Sequence, residues 1–110
     1  MMIVLRGNDV RVTWTITKCD DSAEDFSGAD LSVYVVNGYE RIVVDCTVAG
    51  NVLSIHVPGN RLEVGRYSLE AVWSKEGEWR RVKKRNVFVI TDNPEAVNSV
   101  FEAEQIEGVI

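Results

Sequence analysis

Histidine and cysteine are scarce in this chain, which has one histidine and two cysteines among its 110 residues. The cysteines, Cys19 and Cys46, do not have a spacing that is typical of a metal site. They could form one disulfide, but we expect two reduced thiols in a protein made in the cytosol. The lone histidine, His56, has no nucleophile and orienting group that the sequence could assign to it. We therefore interpret His56 as a surface residue.

The sequence also lacks the glycine-rich motifs that bind phosphate. Its acidic loop, DDSAED (20–25), has neither the spacing nor the glycine of a calcium-binding loop, so we predict that this loop is solvated. Paired carboxylates for glycoside hydrolysis remain possible from the sequence alone, although so short a chain indicates no cleft. Without a triad, a metal cluster or a phosphate loop, we expect no enzyme, no cofactor and no bound metal.

Long hydrophobic runs are absent as well. No apolar segment approaches the roughly 20 residues that a membrane span needs, so we expect no membrane insertion. The N-terminus, MMIVLRGND, has only a short apolar stretch with no basic region before it, unlike a signal peptide. The expected site of synthesis is therefore the cytoplasm.

Short segments with alternating apolar residues make up most of the chain. In VRVTWTIT (10–17) the apolar positions, Trp14 among them, recur every second residue, which predicts a strand with one buried face. RYSLEAVW (66–73) places Trp73 on such a face in the same way. Further strands are predicted in MIVL (2–5), LSVYVV (31–36), RIVVDCTV (41–48), VLSIHV (52–57) and WRRVKKRNVFVI (79–90). About seven short strands at this spacing predict an all-β immunoglobulin-like Greek-key sandwich.

The segment LEVGRY (62–67) contains a glycine shortly before a tyrosine that begins an inner strand. This arrangement resembles a tyrosine corner, in which the phenol bonds a nearby backbone group and holds a crossing loop. Gly65 would supply a backbone geometry that other residues resist. We therefore interpret Tyr67 and Gly65, like the inward-facing Trp14 and Trp73, as structural residues.

Charge is distributed unevenly along the chain. Residues 1–91 carry 12 basic and 12 acidic side chains, whereas residues 92–110 carry five acids and no lysine or arginine. Pro94 suits the first position of a helix, and helical spacing continues through Val97, Val100 and Phe101. We therefore predict a sandwich over 1–91, followed over 92–110 by a short acidic helix, a flexible tail or a linker. As a helix, this segment could also serve in oligomerisation.

Four segments together resemble a known family. They are RGNDVRVTWTIT (6–17), DFSGADLSVYV (25–35), LEVGRYSLE (62–70) and NVFVI (86–90). Their turns and alternating strands are similar to those of the N-terminal immunoglobulin-like domain of phage baseplate upper proteins, over nearly all of residues 5–91. The resemblance implies a non-enzymatic structural module that attaches a phage or prophage tail or baseplate protein to other subunits.

The same resemblance implies partners and a location. The partners would be other tail or baseplate components or further copies of the chain, and the mature location would be the virion. The alternative is a carbohydrate- or protein-binding adhesion domain with the same fold. In that case the aromatic residues Trp79, Tyr39 or Tyr34 would line the site.

The segment EWRRVKKR (78–85) holds five of the chain's 12 basic residues. If it is a strand, alternate residues lie on opposite faces. Val82 then faces inward, and the outward face carries Arg81, Lys83 and Arg85. The remaining two cations, Arg80 and Lys84, would lie near the ends or at a bulge. Such a basic strand also discourages edge-to-edge aggregation.

Two observations argue against nucleic acid as the partner of this basic strand. Residues 1–91 are neutral overall, and Trp79 is the only aromatic residue near the cations, whereas single-strand binders offer several rings. We therefore predict that Arg81, Lys83, Arg85 and Trp79 contact another protein. The acidic segment 92–110, of the same chain or of a neighbour, is one candidate for that partner.

Overall fold

The computed structural model of the chain describes residues 1–97 and 104–110. These residues form eight β-strands and two single 3-10 turns, with no α-helix among them, which confirms the predicted all-β class. The strands are β1 (Met2–Leu5), β2 (Val10–Thr17), β3 (Asp30–Asn37), β4 (Glu40–Ala49), β5 (Val52–Val57), β6 (Gly65–Lys75), β7 (Glu78–Thr91) and β8 (Glu104–Val109). Nothing in the described part of the chain is a helix with the length and apolar character needed to span a membrane.

The strands form one curled sheet in the order β1-β7-β6-β3-β4-β5-β2-β8. Strand β4 changes partner along its length, because its residues up to Val44 pair with β3 and Asp45–Ala49 pair with β5. This change divides the sheet into two halves. We call β1, β7, β6, β3 and the start of β4 the first half-sheet, and the end of β4, β5, β2 and β8 the second half-sheet.

One hydrophobic cluster combines buried residues from the strands of both half-sheets, and it follows the alternation of the sequence. In β2 every second residue is buried, and Trp14 is completely inaccessible to solvent. In β6, Trp73 is also completely inaccessible to solvent. The ring of Phe26 packs edge-on against Trp73, with 5.0 Å between the ring centroids. Burying one large apolar side chain contributes about 1.5–3 kcal/mol, so these alternating faces hold the halves together.

The C-terminal segment differs from the prediction, since residues 104–109 form a strand and not a helix or flexible tail. Strand β8 pairs in parallel with β2, from Glu104 opposite Val12 to Val109 opposite Thr17. This pairing satisfies backbone groups of β2 that would otherwise form a sheet edge. Gly108, which is buried, is also a poor helix former.

The predicted helix start is present only as a single 3-10 turn over Pro94–Ala96. The side chain of Asn93 caps it by accepting a hydrogen bond of 3.1 Å from the Glu95 N–H. Val97 already has an extended backbone, so the turn does not continue as a helix. The other two residues of the predicted helical spacing, Val100 and Phe101, lie outside the described residues. Strand β7 ends at Thr91, where we predicted the end of the sandwich from the sequence. Strand β8 nevertheless pairs with β2 and so belongs to the same sheet.

Candidate functional site

The N-terminal part of β7 lies at an edge of the first half-sheet. Strand β6 pairs with β7 at residues 78–84 and 88–90, whereas β1 pairs only with Phe88–Thr91 on the other side. Residues Trp79–Arg85 therefore have a strand neighbour on one side alone, within the part of the chain that the structure describes. We call Trp79–Arg85 the basic edge, because it carries five cationic side chains.

The hairpin turn determines which backbone groups of the basic edge face outward. Glu76 and Gly77 form a two-residue turn with φ of 54° and 81°, and positive φ at both positions is typical of a type I′ hairpin. The pair that closes such a turn, here Lys75 and Glu78, exchanges hydrogen bonds, and bonded pairs then alternate along the ladder. The N–H and C=O groups of the alternate β7 residues consequently point away from β6. These residues are Trp79, Arg81 and Lys83.

All five cations of the basic edge are exposed, and only Val82 between them is buried. Arg80 and Lys84 share the inward side with Val82 but remain exposed, because the opposing half-sheet ends at β8 there. The backbone of β8 reaches Val82 at Gly108, where an added Cβ would lie 3.0 Å from the Val82 side chain. The basic edge thus presents positive charge on both faces and along its open side.

A bulge separates the basic edge from the rest of β7. Leu69 pairs with Lys84 and Tyr67 with Phe88, so three residues of β7 lie opposite Ser68 alone. The middle residue of the bulge, Asn86, has a φ of 54°, and its N–H donates to the Ser68 hydroxyl at 3.3 Å. Arg85 is therefore exposed at the bulge and does not continue the regular row of Arg81 and Lys83.

The cations of the basic edge have few partners in the described structure. Arg80 pairs with Glu78 at 3.4 Å, and no other cation of the basic edge forms an ion pair with a described side chain. The acidic segment that we considered as a partner contributes one ion pair, between Asp92 and Arg6 at 3.7 Å. Among the side chains that the structure describes, none of this segment pairs with the basic edge of its own chain.

The three aromatic residues considered for ligand binding do not form one surface. Trp79 is 73% exposed beside the β6–β7 turn, and the register places it level with the start of β3. Tyr39 is fully exposed but lies in the turn that follows the end of β3, about 20 Å away along an eight-residue strand. Tyr34 is half-buried beneath the guanidinium of Arg41, 4.1 Å from its ring centroid.

Tyr67 and Gly65 lie at the start of β6, where the preceding loop joins the sheet. The Tyr67 hydroxyl donates to the carbonyl oxygen of Glu63 at 2.8 Å, and its ring stacks on Phe88 at 5.1 Å. Gly65 has a φ of 153°, and an added Cβ would lie 3.2 Å from the Asn37 amide. Both residues therefore hold the loop before β6, and neither lies on the basic edge.

A second candidate site is a concavity of about 610 Å³ on the outer face of the second half-sheet. We call it the polar groove. Three adjacent strands supply its side chains in two rows, one with three charged or titratable groups and one with three hydroxyls. The first row consists of Arg11, His56 and Asp45, and the second row consists of Thr13, Ser54 and Thr47.

His56 has an orienting partner that sequence reasoning did not find. Its Nε2 lies 2.8 Å from Oδ2 of Asp9, and Oδ1 of Asp9 accepts a hydrogen bond of 2.8 Å from the Gly59 N–H. The Gly59 N–H and His56 together lower the pKa of Asp9. The antiparallel pairing of β2 with β5 brings these groups together across 47 residues of sequence, and no local motif signals this. Within the described residues His56 has no hydrogen bond to a nucleophile.

Cys46 lies between Asp45 and Thr47 on β4 but packs against the core, and both cysteines are free, as predicted. Burial raises the pKa of the Cys46 thiol to about 11. The thiol is therefore protonated at neutral pH and a poor nucleophile. Cys19 is exposed in the loop after β2.

The acidic loop is only partly solvated, which corrects the prediction for one residue. Glu24 is buried, because its N–H bonds the Ile16 carbonyl at 3.2 Å and draws the loop onto β2. Asp25 is exposed, and hydrogen bonds from Ser27, together with Lys75, lower its pKa to about 2. No group of three or more histidine, cysteine or acidic residues among those described is arranged to hold a metal ion.

Comparison with protein-family models gives no match for this chain. Comparisons with curated proteins and with solved structures also give none.

Proposed function

We propose that the chain is an immunoglobulin-like Greek-key sandwich that serves as a non-enzymatic attachment module in a protein assembly. Three features support the fold. The half-sheets enclose one core, β4 contributes to both of them, and β1 pairs in parallel with the end of β7. The bond from Tyr67 to the loop before β6 is the contact expected of a tyrosine corner.

The basic edge is the observation that carries the proposed function. It combines backbone groups that have no described strand beside them, exposed cations and an exposed tryptophan in one continuous stretch. Tryptophan and arginine are enriched where protein interfaces have their strongest contacts. Charged groups around such a contact set orientation and association rate.

The similarity of segments 6–17, 25–35, 62–70 and 86–90 to phage baseplate upper proteins supports a particular assembly. We propose that the chain belongs to a phage or prophage tail or baseplate and is incorporated in the virion. Its partners would be other tail components or further copies of the chain.

The test is to identify the neighbouring genes and to co-express their products with the full chain. We expect tail proteins among these products, and we expect one of them to co-purify at a fixed stoichiometry measured by light scattering. Reversal of charge in the basic edge, Arg81→Glu with Lys83→Glu, should release that partner. The matched control reverses two exposed cations elsewhere, Lys18→Glu with Arg66→Glu. Neighbours unrelated to tails, and a chain that stays monomeric beside them, would contradict the proposal.

The polar groove favours a second candidate function, the binding of a carbohydrate. Its rows of hydroxyl, arginine, histidine and carboxylate groups offer the hydrogen bonds that a sugar needs. A glycan array and NMR titration of the full chain test this candidate. Binding that is lost in Ser54→Ala and kept in Trp79→Ala would assign the sugar to the polar groove. The reverse result would assign it to the exposed tryptophan.

A further inference from the structure

We propose that the basic edge binds an extended acidic segment of another protein, which adds to the first half-sheet as a strand beside β7. The inference depends on the proposed attachment function and specifies the chemistry of the partner. Strand addition at a sheet edge is a common mode of peptide recognition, in which backbone bonds give affinity and side chains give specificity.

The backbone of the basic edge has the pattern that an added strand requires. The outward N–H and C=O groups of Trp79, Arg81 and Lys83 alternate along one line and form no hydrogen bond to a described residue. Each of these residues can both donate to and accept from a neighbouring backbone. An incoming segment would thus gain up to six hydrogen bonds, two at each of the three positions.

The edge has a defined length, because structural features close it at both ends. The β6–β7 turn closes it before Glu78. The bulge after Lys84 closes it at the other end, and β1 occupies the same side of β7 from Phe88 onward, where Met2 pairs with Phe88. The space between these ends suits a strand of about seven residues, or about 23 Å. The added strand would lie end to end with β1 on the same side of β7.

The charge of the edge determines the composition of the partner. A residue on the outer face of the added strand would lie beside Arg81 or Lys83, and one on the inner face would lie beside Arg80, Val82 or Lys84. Opposite charges directly across two strands stabilise their pairing, and like charges destabilise it. The partner strand is therefore acidic on its outer face, with an apolar residue or further acids on its inner face.

A second copy of the chain does not fit this edge through its own β7. Two basic edges paired with each other would bring arginine and lysine residues directly opposite one another. Nucleic acid does not fit either, because phosphate groups only accept hydrogen bonds. The outward carbonyl groups of the basic edge would then lack donors, and among the described residues of this edge Trp79 is the one ring available for stacking.

The test measures binding of the full chain to a labelled seven-residue peptide of alternating glutamate and valine by fluorescence anisotropy. The control peptide has the same sequence but carries N-methyl groups on alternate amides along one edge. Methylation keeps the charge and removes the backbone donors. We expect the control to bind at least about tenfold more weakly, and we expect binding of the first peptide to weaken as salt is added.

Variants of one residue separate charge from backbone pairing in the protein. Lys83→Gln removes the charge and should weaken binding severalfold, whereas Lys83→Pro also removes an outward N–H and should weaken it by at least about tenfold. Proline is tolerated on edge strands where its N–H would face solvent, so the fold should persist. Circular dichroism and the melting temperature check this for each variant, and Lys18→Gln is the matched control.

Four results would overturn the inference. These are equal binding of the methylated peptide, no binding of either peptide, tighter binding of single-stranded DNA, and a dimer that Lys83→Glu dissociates. If the chain still co-purifies with a tail protein in any of these cases, the proposed attachment function stands and the strand-addition mode fails. If the peptide binds as expected but no tail protein co-purifies, the mode stands and the tail assignment fails.

Discussion

The two parts of β7 differ in their surroundings although they belong to one strand. Phe88–Thr91 lies between β1 and β6, and Phe88 and Ile90 are buried. Among the described strands, Trp79–Arg85 has β6 alone as a neighbour, and Val82 is its one buried residue. The comparison shows that strand conformation alone does not determine the surroundings of a segment. β1 pairs with the backbone of one part of β7, and no described strand does so on that side of the other part.

Substitution in the two parts of β7 should give the largest difference in stability. Phe88→Ala removes a fully buried ring that stacks on Tyr67, and we expect it to lower the free energy of unfolding by about 3–5 kcal/mol. Lys84→Ala, in the exposed part, should change it by less than about 0.5 kcal/mol. Chemical denaturation measures both values. Similar losses in the two variants would mean that the basic edge is also part of the core.

The next largest effect concerns β8, which covers the inner face of the basic edge at Val82. An added Cβ at Gly108 would lie 2.7 Å from Nε1 of Trp14 and 2.9 Å from Ile16. We therefore expect Gly108→Ala to destabilise the fold by about 1–3 kcal/mol, because the core has to move. The control is Val109→Ala, since Val109 is 63% exposed on the neighbouring position. A neutral Gly108→Ala variant would contradict the packing of β8 against β2 and β7.

A smaller effect is expected from the hydroxyl that holds the loop beside the buried part of β7. Tyr67→Phe removes the hydrogen bond to the Glu63 carbonyl and keeps the ring that stacks on Phe88. The expected loss is about 0.5–1.5 kcal/mol of unfolding free energy. Tyr39→Phe, at a fully exposed tyrosine, serves as the control and should be neutral. If the two variants are equally stable, the loop before β6 does not depend on this bond.

The smallest effect is a pH dependence at the base of the hairpin that presents the basic edge. Lys75 contacts Asp25 at 3.2 Å, and the pKa of Asp25 is lowered from 3.8 to about 2, chiefly by Ser27. A lowered pKa in the folded state means that the charged form stabilises the fold above pH 3.8 and that this stabilisation is lost as the pH falls toward 2. As the pH is lowered from 5 to 2, the melting temperature should therefore fall less steeply in Asp25→Asn than in the wild type. The control is Asp30→Asn. If Asp25→Asn leaves the slope of melting temperature against pH unchanged, the contacts of Asp25 with Ser27 and Lys75 are contradicted.

The sequence predicted well those parts of the fold in which local alternation and tertiary burial agree. The alternating apolar positions of β2, with Trp14, are buried, and so are Tyr67, Leu69, Ala71 and Trp73 of β6. Glu70 of β6 departs from this alternation, since it is buried although it is charged. The inward position of Val82 also follows from local alternation. These features depend on the period of a strand, which short segments specify by themselves.

Long-range pairing explains the parts that the sequence did not predict. The sequence of the C-terminal segment predicts a helix that begins at Pro94. Residues 104–109 form a strand instead, because β2 offers an edge with which they can pair. Glu24 belongs to an acidic loop but is buried because its N–H bonds Ile16. Asp9 and His56 meet only because β2 and β5 pair.

The sequence by itself determined the all-β class, the alternating core faces and the concentration of five cations within residues 80–85. Tertiary structure alone decided that these cations lie on an edge with no described strand beside it, since this depends on β1 pairing only with Phe88–Thr91 and on β8 pairing with β2. The physical reason is that side-chain periodicity is a local property of a strand. The number of strands beside it depends on which distant segments are free to pair.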